Sequence, residues 1–466
     1  MSYRLGRRLS KTENADFWKT LFVVAIPAAV QGIVALSVNM LDNIMVGTLG
    51  DVALASVSLG NQFSVIMNFI LNGIGGGAAV LISQYRGRGE LEKVRGSFSV
   101  LMQFACALSI LLTAFVFFFP QTAMRIFTSD PEAITVGAEY IRIVSLSFIL
   151  FAISNTLVIL FRWSEITKIG LFVSFLSLFV NLIFNYLLIF GKFGFPALGV
   201  KGAAIATLIA RAAEFLAVVV YTFCMEKRLR LRLSDFFRME KGIWRDYFKF
   251  GLPVTFGDIQ WGFVGIFKSV LIGHMGITMT AANAIADVVL QLAQIFTSGL
   301  ANGAAVIIGK SVGAGDFAHT RRLSVRIQVL FAIVGVTVAS CVIFTRSLPP
   351  MLYDCSDEVR TLAETFLLIG GCTHIGTCYH AACFTGINRG AGDGKFVMKV
   401  DMVCGWLIVL PLLYLTGFVW KLPLPVVYLA SRFDQCFKWI IAFFRLRGDN
   451  WIHRISSPER RTATAR

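Results

Sequence analysis

The 466-residue chain is 56% hydrophobic and only 15% charged, with mean hydropathy +0.72, whereas soluble globular chains carry about 25% charged residues. This excludes a soluble enzyme, a disordered chain, a collagen and a disulfide-stapled secreted domain, and leaves a polytopic membrane protein. The net charge of +16, from 43 Lys+Arg against 27 Asp+Glu, would point to nucleic acid in a soluble protein; here it is first read as loop charge that sets membrane topology.

A spanning helix needs about 20 apolar residues. Twelve such runs lie near 20–46, 54–83, 97–119, 134–160, 167–190, 198–224, 247–273, 279–309, 323–345, 360–386, 397–419 and 424–444. The first is long and carries Pro27 and Asp42, so it reads as a retained helix and not as a cleaved signal. An even number of spans places both termini on one side. The two tails and the loops after the even-numbered runs hold 32 of the 43 basic residues, the opposite loops five. The positive-inside rule then makes both termini cytoplasmic, with no nucleic-acid partner needed to explain the charge. The nine cysteines lie mostly in apolar runs, and none forms a CxxC pair; they read as small apolar helix residues.

The chain repeats itself at a shift of 226 residues, without a gap over the first two spans. Pro27 meets Pro253, Gly47 and Gly50 meet Gly273 and Gly276, and Gly73 meets Gly299. Gly77-Ala78-Ala79-Val80 meets Gly303-Ala304-Ala305-Val306, and Gly87 and Gly89 meet Gly313 and Gly315. Such residues fix kinks and close helix contacts. Both copies begin with a cytoplasmic basic loop, so the repeat is parallel. The expected organisation is a cytoplasmic tail over 1–19, a six-helix lobe over 20–225, a basic linker over 226–246, a second lobe over 247–445 and a cytoplasmic tail over 446–466. The linker has the charge to touch anionic lipid head groups.

No phosphate loop is present: the stretch Ala304 to Ser311 lacks the first glycine of GxxxxGK[ST] and ends a spanning helix. Any work done is expected to draw on an ion gradient, with no cofactor. No clustered nucleophile, base or metal set suggests an enzyme. His374 and His380 are six apart, which does not place both on one helix face, and no metal site is expected there. Charge inside spans is the main functional signal, because it is costly in lipid. Asp42 ends the first span, and hydropathy alone leaves it either interfacial or buried. Asn181 and Asn185 share a face of the fifth span, and Thr207 lies in the sixth. The topology puts all four in the outer half of the first lobe. One carboxylate with neutral oxygens suits a proton or a hard cation such as sodium.

Several motifs resemble the multidrug and toxic compound extrusion (MATE) family. These are the first span with Pro27 and Asp42-Asn43-Ile44-Met45-Val46-Gly47, the run from Asn181 through Asn185 to Gly191, the run from Gly199 to Thr207, and Arg389-Gly390-Ala391-Gly392-Asp393. The resemblance spans about 17–450. It implies an all-α membrane protein with twelve transmembrane helices, arranged as two pseudo-symmetric six-helix lobes in a V. It implies export of organic cations in exchange for sodium or protons. The family's first-lobe ion site falls on Asp42, Asn181, Asn185 and Thr207, and its bending proline on Pro27. Two departures stand out. Arg162 to Lys168 replaces the glycine-rich turn kept in the second half. Trp261 occupies the position of the family's second-lobe glutamate, with Asp258 one turn earlier.

Asp42 shifted by 226 is Lys268, so pseudo-equivalent positions hold opposite charges. Asp287, at similar depth, is the expected partner of Lys268, an ion pair that would lock the second lobe. Arg211 and Glu214 are expected to pair. Glu364, Asp401, Arg432 and Lys438 fall near span ends, where side chains snorkel to the interface. The expectation is a monomeric multidrug antiporter for amphipathic and cationic compounds, embedded in the bilayer of a bacterial inner membrane. A lipid-linked precursor flippase of the same superfamily is the alternative.

Overall fold

The computed structural model describes residues 11–455 except Phe237, Met239, Asp354 and Asp449. The remainder of the two predicted tails therefore lies outside the described residues. No strand occurs among the described residues, which form twelve long helical rods. The first six are α1 (Lys11–Gly47), α2 (Asp51–Gly87), α3 (Leu91–Phe118), α4 (Pro131–Trp163), α5 (Lys168–Phe190) and α6 (Val200–Val220). A basic segment leads into α7 (Leu252–Gly273), which is preceded by a short helix and a π-helical turn. Then come α8 (Ile277–Ala314), α9 (Phe317–Phe344), α10 (Asp357–Ala381, prolonged by a π-helical stretch to Arg389) and α11 (from Gly394 to Val419). The last, α12, is broken into Leu424–Ala430 and Asp434–Arg447.

The 226-residue shift seen in the first two spans persists well beyond them. Helices α2, α3, α4 and α5 start at Asp51, Leu91, Pro131 and Lys168; α8, α9, α10 and α11 start at Ile277, Phe317, Asp357 and Gly394. The shared glycines explain why. Gly50 and Gly276 precede α2 and α8 with φ of 111° and 108°, a backbone region that side chains oppose. The same turn is thus made twice, and it sets the same register.

Nine rods are long and apolar enough to cross a membrane, counted among the described residues. The other three are α7, α10 and α12, whose polar residues are taken up below. At 37 residues, α1 and α2 are each about 55 Å long, well beyond the ~30 Å hydrocarbon core. Helix α1 begins nine residues ahead of the expected span at 20, because Phe17 and Leu21 are buried against α8 and α9.

The two lobes meet at one end through small residues of α1, α2, α7 and α8. A β-carbon at Gly77 would lie 2.6 Å from the Gly251 carbonyl oxygen, and one at Gly299 would lie 2.8 Å from that of Ala25. Thr255 Oγ1 donates to the Gly73 carbonyl at 3.0 Å, and Tyr85 OH donates to Asp246 Oδ2 at 2.6 Å. At the opposite end of the same helices, Gly50, Gly273 and Gly276 have nothing within 4 Å of such a β-carbon. The lobes are therefore packed together at the end bearing the N-terminus of α1, and these glycines at the other end are open.

The linker packs beneath the first lobe. Leu229, Leu231 and Ile243 are buried in its core, and Glu226 accepts hydrogen bonds from the backbone N–H groups of Arg228, Leu229 and Arg230. The segment after α12 lies across the closed end. Trp451 and Ile455 are buried, the Ile455 N–H donates to Gln84 Oε1 of the first lobe at 3.0 Å, and the His453 N–H donates to the Ala391 carbonyl of the second at 2.8 Å.

Candidate functional site

In the first lobe, Asp42 near the end of α1 meets the asparagine face of α5. Asn185 Nδ2 donates to Asp42 Oδ1 at 2.5 Å and to Asn181 Oδ1 at 3.0 Å. Both asparagines are buried, at 3% and 1% exposure, because their i, i+4 spacing points both at α1. The Asn185 Oδ1 atom is buried without a hydrogen-bond partner. The Asp42 carboxylate and the Asn181 amide oxygen thus converge on the Asn185 amide, whose own oxygen is unclaimed. Such a donor set suits a hard cation, or a proton on the carboxylate.

Thr207 stands apart from this trio. Its hydroxyl is hydrogen-bonded to Tyr140, whose OH donates to Asn61 Oδ1 at 2.9 Å. The sequence reading missed Tyr140 and Asn61, although the repeat offered a signal: Asn61 shifted by 226 is Asp287. Arg211 and Glu214 pair as expected, at 2.8 Å, with the guanidinium 4.1 Å from the centroid of the Phe151 ring.

Pro27 is buried within α1. A proline has no N–H, so the carbonyl of Val23, four residues back, loses its helical partner. Thr167 Oγ1 supplies the missing donor at 2.8 Å. Thr167 belongs to the segment that replaces the glycine-rich turn, and its neighbours also reach outward. Arg162 Nη2 donates to Gln31 Oε1 of α1 at 2.5 Å. Glu165 accepts from Lys310 of the second lobe at 2.7 Å and from Arg86 at 3.4 Å. The departure from the family pattern thus builds contacts to the α1 proline region and across the lobe junction.

The second lobe encloses a cavity of about 530 Å³ lined by Lys268, Arg389, Arg432 and Lys438, and by Asp258, Asp287, Asp401 and Asp434. All four residues of the expected second-lobe set, Asp258, Trp261, Lys268 and Asp287, line it. Their partners differ from those expected. No ion pair within 4 Å joins Lys268 to Asp287 among the described residues. Asp287 instead accepts from Asn283 Nδ2, one turn back on α8, at 2.7 Å. Asp258 is paired with Arg389 at 2.7 Å. Lys438 does not snorkel to an interface: it is 1% exposed, bonded to Asp401 at 3.0 Å and Asp434 at 2.9 Å, and 4.1 Å from the centroid of the Trp261 ring. Asp401 and Arg432 likewise face the cavity, as do His374 and His380. Six of these eight charges lie on α7, on α10 with its prolongation, and on α12, the three rods outside the apolar nine; Asp287 and Asp401 lie on α8 and α11.

The MatE family model matches residues 27–187 and 253–415, two copies whose starts are again 226 residues apart. The chain is 25% identical to the uncharacterized transporter YisQ of Bacillus subtilis, over 94% of this chain and 96% of that protein. It is 26% identical to the probable multidrug resistance protein NorM of Agrobacterium fabrum, over 86% and 87%. A crystal structure of MATE in the bent conformation superposes with TM-score 0.83 at 17% identity, covering 93% of this chain and 95% of that one. With the model matched over well over half its length and the same two-lobed helical fold, the chain belongs to the MATE family of membrane transporters.

Proposed function

We propose that this protein exports amphipathic organic compounds, cationic ones among them, in antiport with sodium or protons. In this reading the coupling ion is held by Asp42, Asn181 and Asn185, while Thr207 braces the site through Tyr140. The observation that carries the reading is the Asn185 clamp on Asp42, with its unclaimed carbonyl oxygen beside a carboxylate. Ion binding or protonation neutralises Asp42, loosens the clamp and lets α1 bend at Pro27. One charge crossing the membrane is worth about 2.3 kcal/mol per 100 mV, enough for roughly fiftyfold concentration. With the termini cytoplasmic, the closed end of the lobes is the inner one, and this conformation faces outward. The protein is read as a monomer in a bacterial inner membrane, with the tails and linker on the cytoplasmic side. Mixed charge in the second-lobe cavity, four cations and four carboxylates, favours a drug-sized substrate over the lipid-linked precursor of a flippase.

The test is dye-cation efflux from proteoliposomes under a sodium gradient and, separately, a pH gradient. Wild type is expected to respond to one of them, and Asp42→Asn to neither. Efflux that persists in Asp42→Asn refutes the coupling site. Absence of efflux in correctly inserted wild type moves the reading to the flippase.

A further inference from the structure

The charges lining the second-lobe cavity do not cancel locally. Arg389 is matched by Asp258, and Lys438 by Asp401 and Asp434. Lys268 and Arg432 remain, and neither has a carboxylate within 4 Å among the described residues. Arg432 is hydrogen-bonded to Tyr428, its guanidinium 5.7 Å from the ring centroid. Two cations therefore face one space and act on each other, with Asp287 the one carboxylate of the cavity wall that acts on both without an ion pair of its own; one carboxylate shared by two cations leaves a net positive charge. An anion seated between them neutralises that charge. An arginine fork beside a lysine point charge suits a carboxylate or a phosphate monoester.

The repeat sharpens this. Lys268 occupies the position of Asp42 at the end of the equivalent helix, and Asp287 the position of Asn61. The polarity is reversed: a carboxylate that suits a cation in one lobe is replaced by a cation that suits an acid in the other. From this we infer that Lys268 and Arg432 form an acid-binding subsite, and that the protein accepts amphipathic organic acids there. At about 530 Å³ the cavity falls within the range of drug-sized ligand sites. Asp287, on the same wall, restricts the occupant to compounds that present the acid away from it or carry an amine that meets it. The inference rests on the proposed reading of the chain as a transporter of amphipathic compounds.

The experiment is calorimetric titration of the full chain in phosphatidylcholine nanodiscs with three probes sharing one ring system: 1-naphthaleneacetate, 1-naphthyl phosphate and 1-naphthylmethylammonium. Wild type is expected to bind at least one of the two acids saturably, and the two titrations tell a carboxylate site from a phosphate site. Lys268→Gln and Arg432→Gln should each weaken that acid by roughly ten- to hundredfold, as expected for loss of one charged hydrogen-bond donor, without weakening the ammonium probe. Lys268→Arg should retain the acid, which shows that the charge matters and that the site still folds. No saturable acid binding to wild type, acid binding unchanged in both glutamine variants, or equal loss of acid and ammonium in every variant overturns the inference. Asp42→Asn should bind the acid like wild type while failing in gradient-driven efflux, so the subsite and the coupling mechanism fail separately.

Discussion

Thr167 offers the sharpest test of how α1 is held at its proline. Thr167→Val keeps the side-chain shape and removes the hydroxyl that bonds the Val23 carbonyl at 2.8 Å. Thr167 is 7% exposed, so little water can replace the lost donor. Side-chain hydrogen bonds between membrane helices average about 0.6 kcal/mol and reach about 1.7, equivalent to an approximately 3- to 18-fold change in the ratio of bent to straight helix. The assay is double electron–electron resonance between spin labels at positions 22 and 44. Phe22 and Ile44 are 44% and 62% exposed on α1, and the two positions lie about 33 Å apart along a straight helix. Thr167→Val should shift population toward the shorter, bent distance. The control is Pro27→Ala, which restores the N–H that Val23 lacks. In that background Thr167→Val should do nothing, so the two substitutions should be strongly non-additive. An equal effect of Thr167→Val in both backgrounds would refute the reasoning.

Two further substitutions test the charges. Lys438→Met leaves Asp401 and Asp434 facing each other, the latter side chain 2% exposed. Removing one partner of a buried ion pair costs about 3–5 kcal/mol, and the variant should lose monodispersity on gel filtration, with partial recovery when Asp434→Asn is added. Glu165→Gln cuts both the Lys310 and Arg86 contacts, whose side chains are 18–38% exposed. At that exposure the pairs are worth about 1 kcal/mol or less. A cysteine placed at Ser83, buried at the closed end, should then be labelled by an impermeant maleimide up to about fivefold faster in inverted vesicles. An unchanged labelling rate would show that Glu165 does not hold the lobes together.

What the sequence disclosed and what it hid divide along one physical line. Spans and their register are local properties. Apolar runs mark the helices, and glycines at φ near 110° before α2 and α8 fix the same turn twice, so the 226-residue repeat could be read directly. The Asp42, Asn181 and Asn185 set was also legible, because two of its members share a helix face. Side-chain partners across helices were not. Asp401 reaches Lys438 in another rod, and Tyr140 reaches Asn61 across 79 positions. Lys438 was misread as a span-end residue because α12 breaks between Ala430 and Asp434. The break starts a new helical segment that presents Asp434 and Lys438, one turn apart, to the cavity. Hydropathy averages over such a break and loses it.

The two prolines related by the repeat show why the halves need not behave alike. Pro27 lies in the middle of α1, and its orphaned carbonyl is satisfied only by a residue borrowed from the segment before α5. A bond supplied from outside a helix can be given up when that neighbour moves, which leaves α1 free to bend. Pro253 follows directly on a π-helical turn, Tyr247–Gly251, where the Leu252 N–H reaches back to Tyr247. A widened turn is one of the local adjustments by which a helix accommodates a proline. Charge follows the same division. In the first lobe one carboxylate is held by a neutral amide, a contact weak enough for an ion or a proton to displace. In the second, Lys438 sits between two carboxylates and Arg389 is tied to Asp258, contacts that are costly to open once buried. The ion pair expected between Lys268 and Asp287 is not formed within 4 Å among the described residues; the ion pairs that line the cavity are those of Lys438 and Arg389. On the proposed reading, a fold built by repetition thus has one half suited to movement and one half suited to recognition.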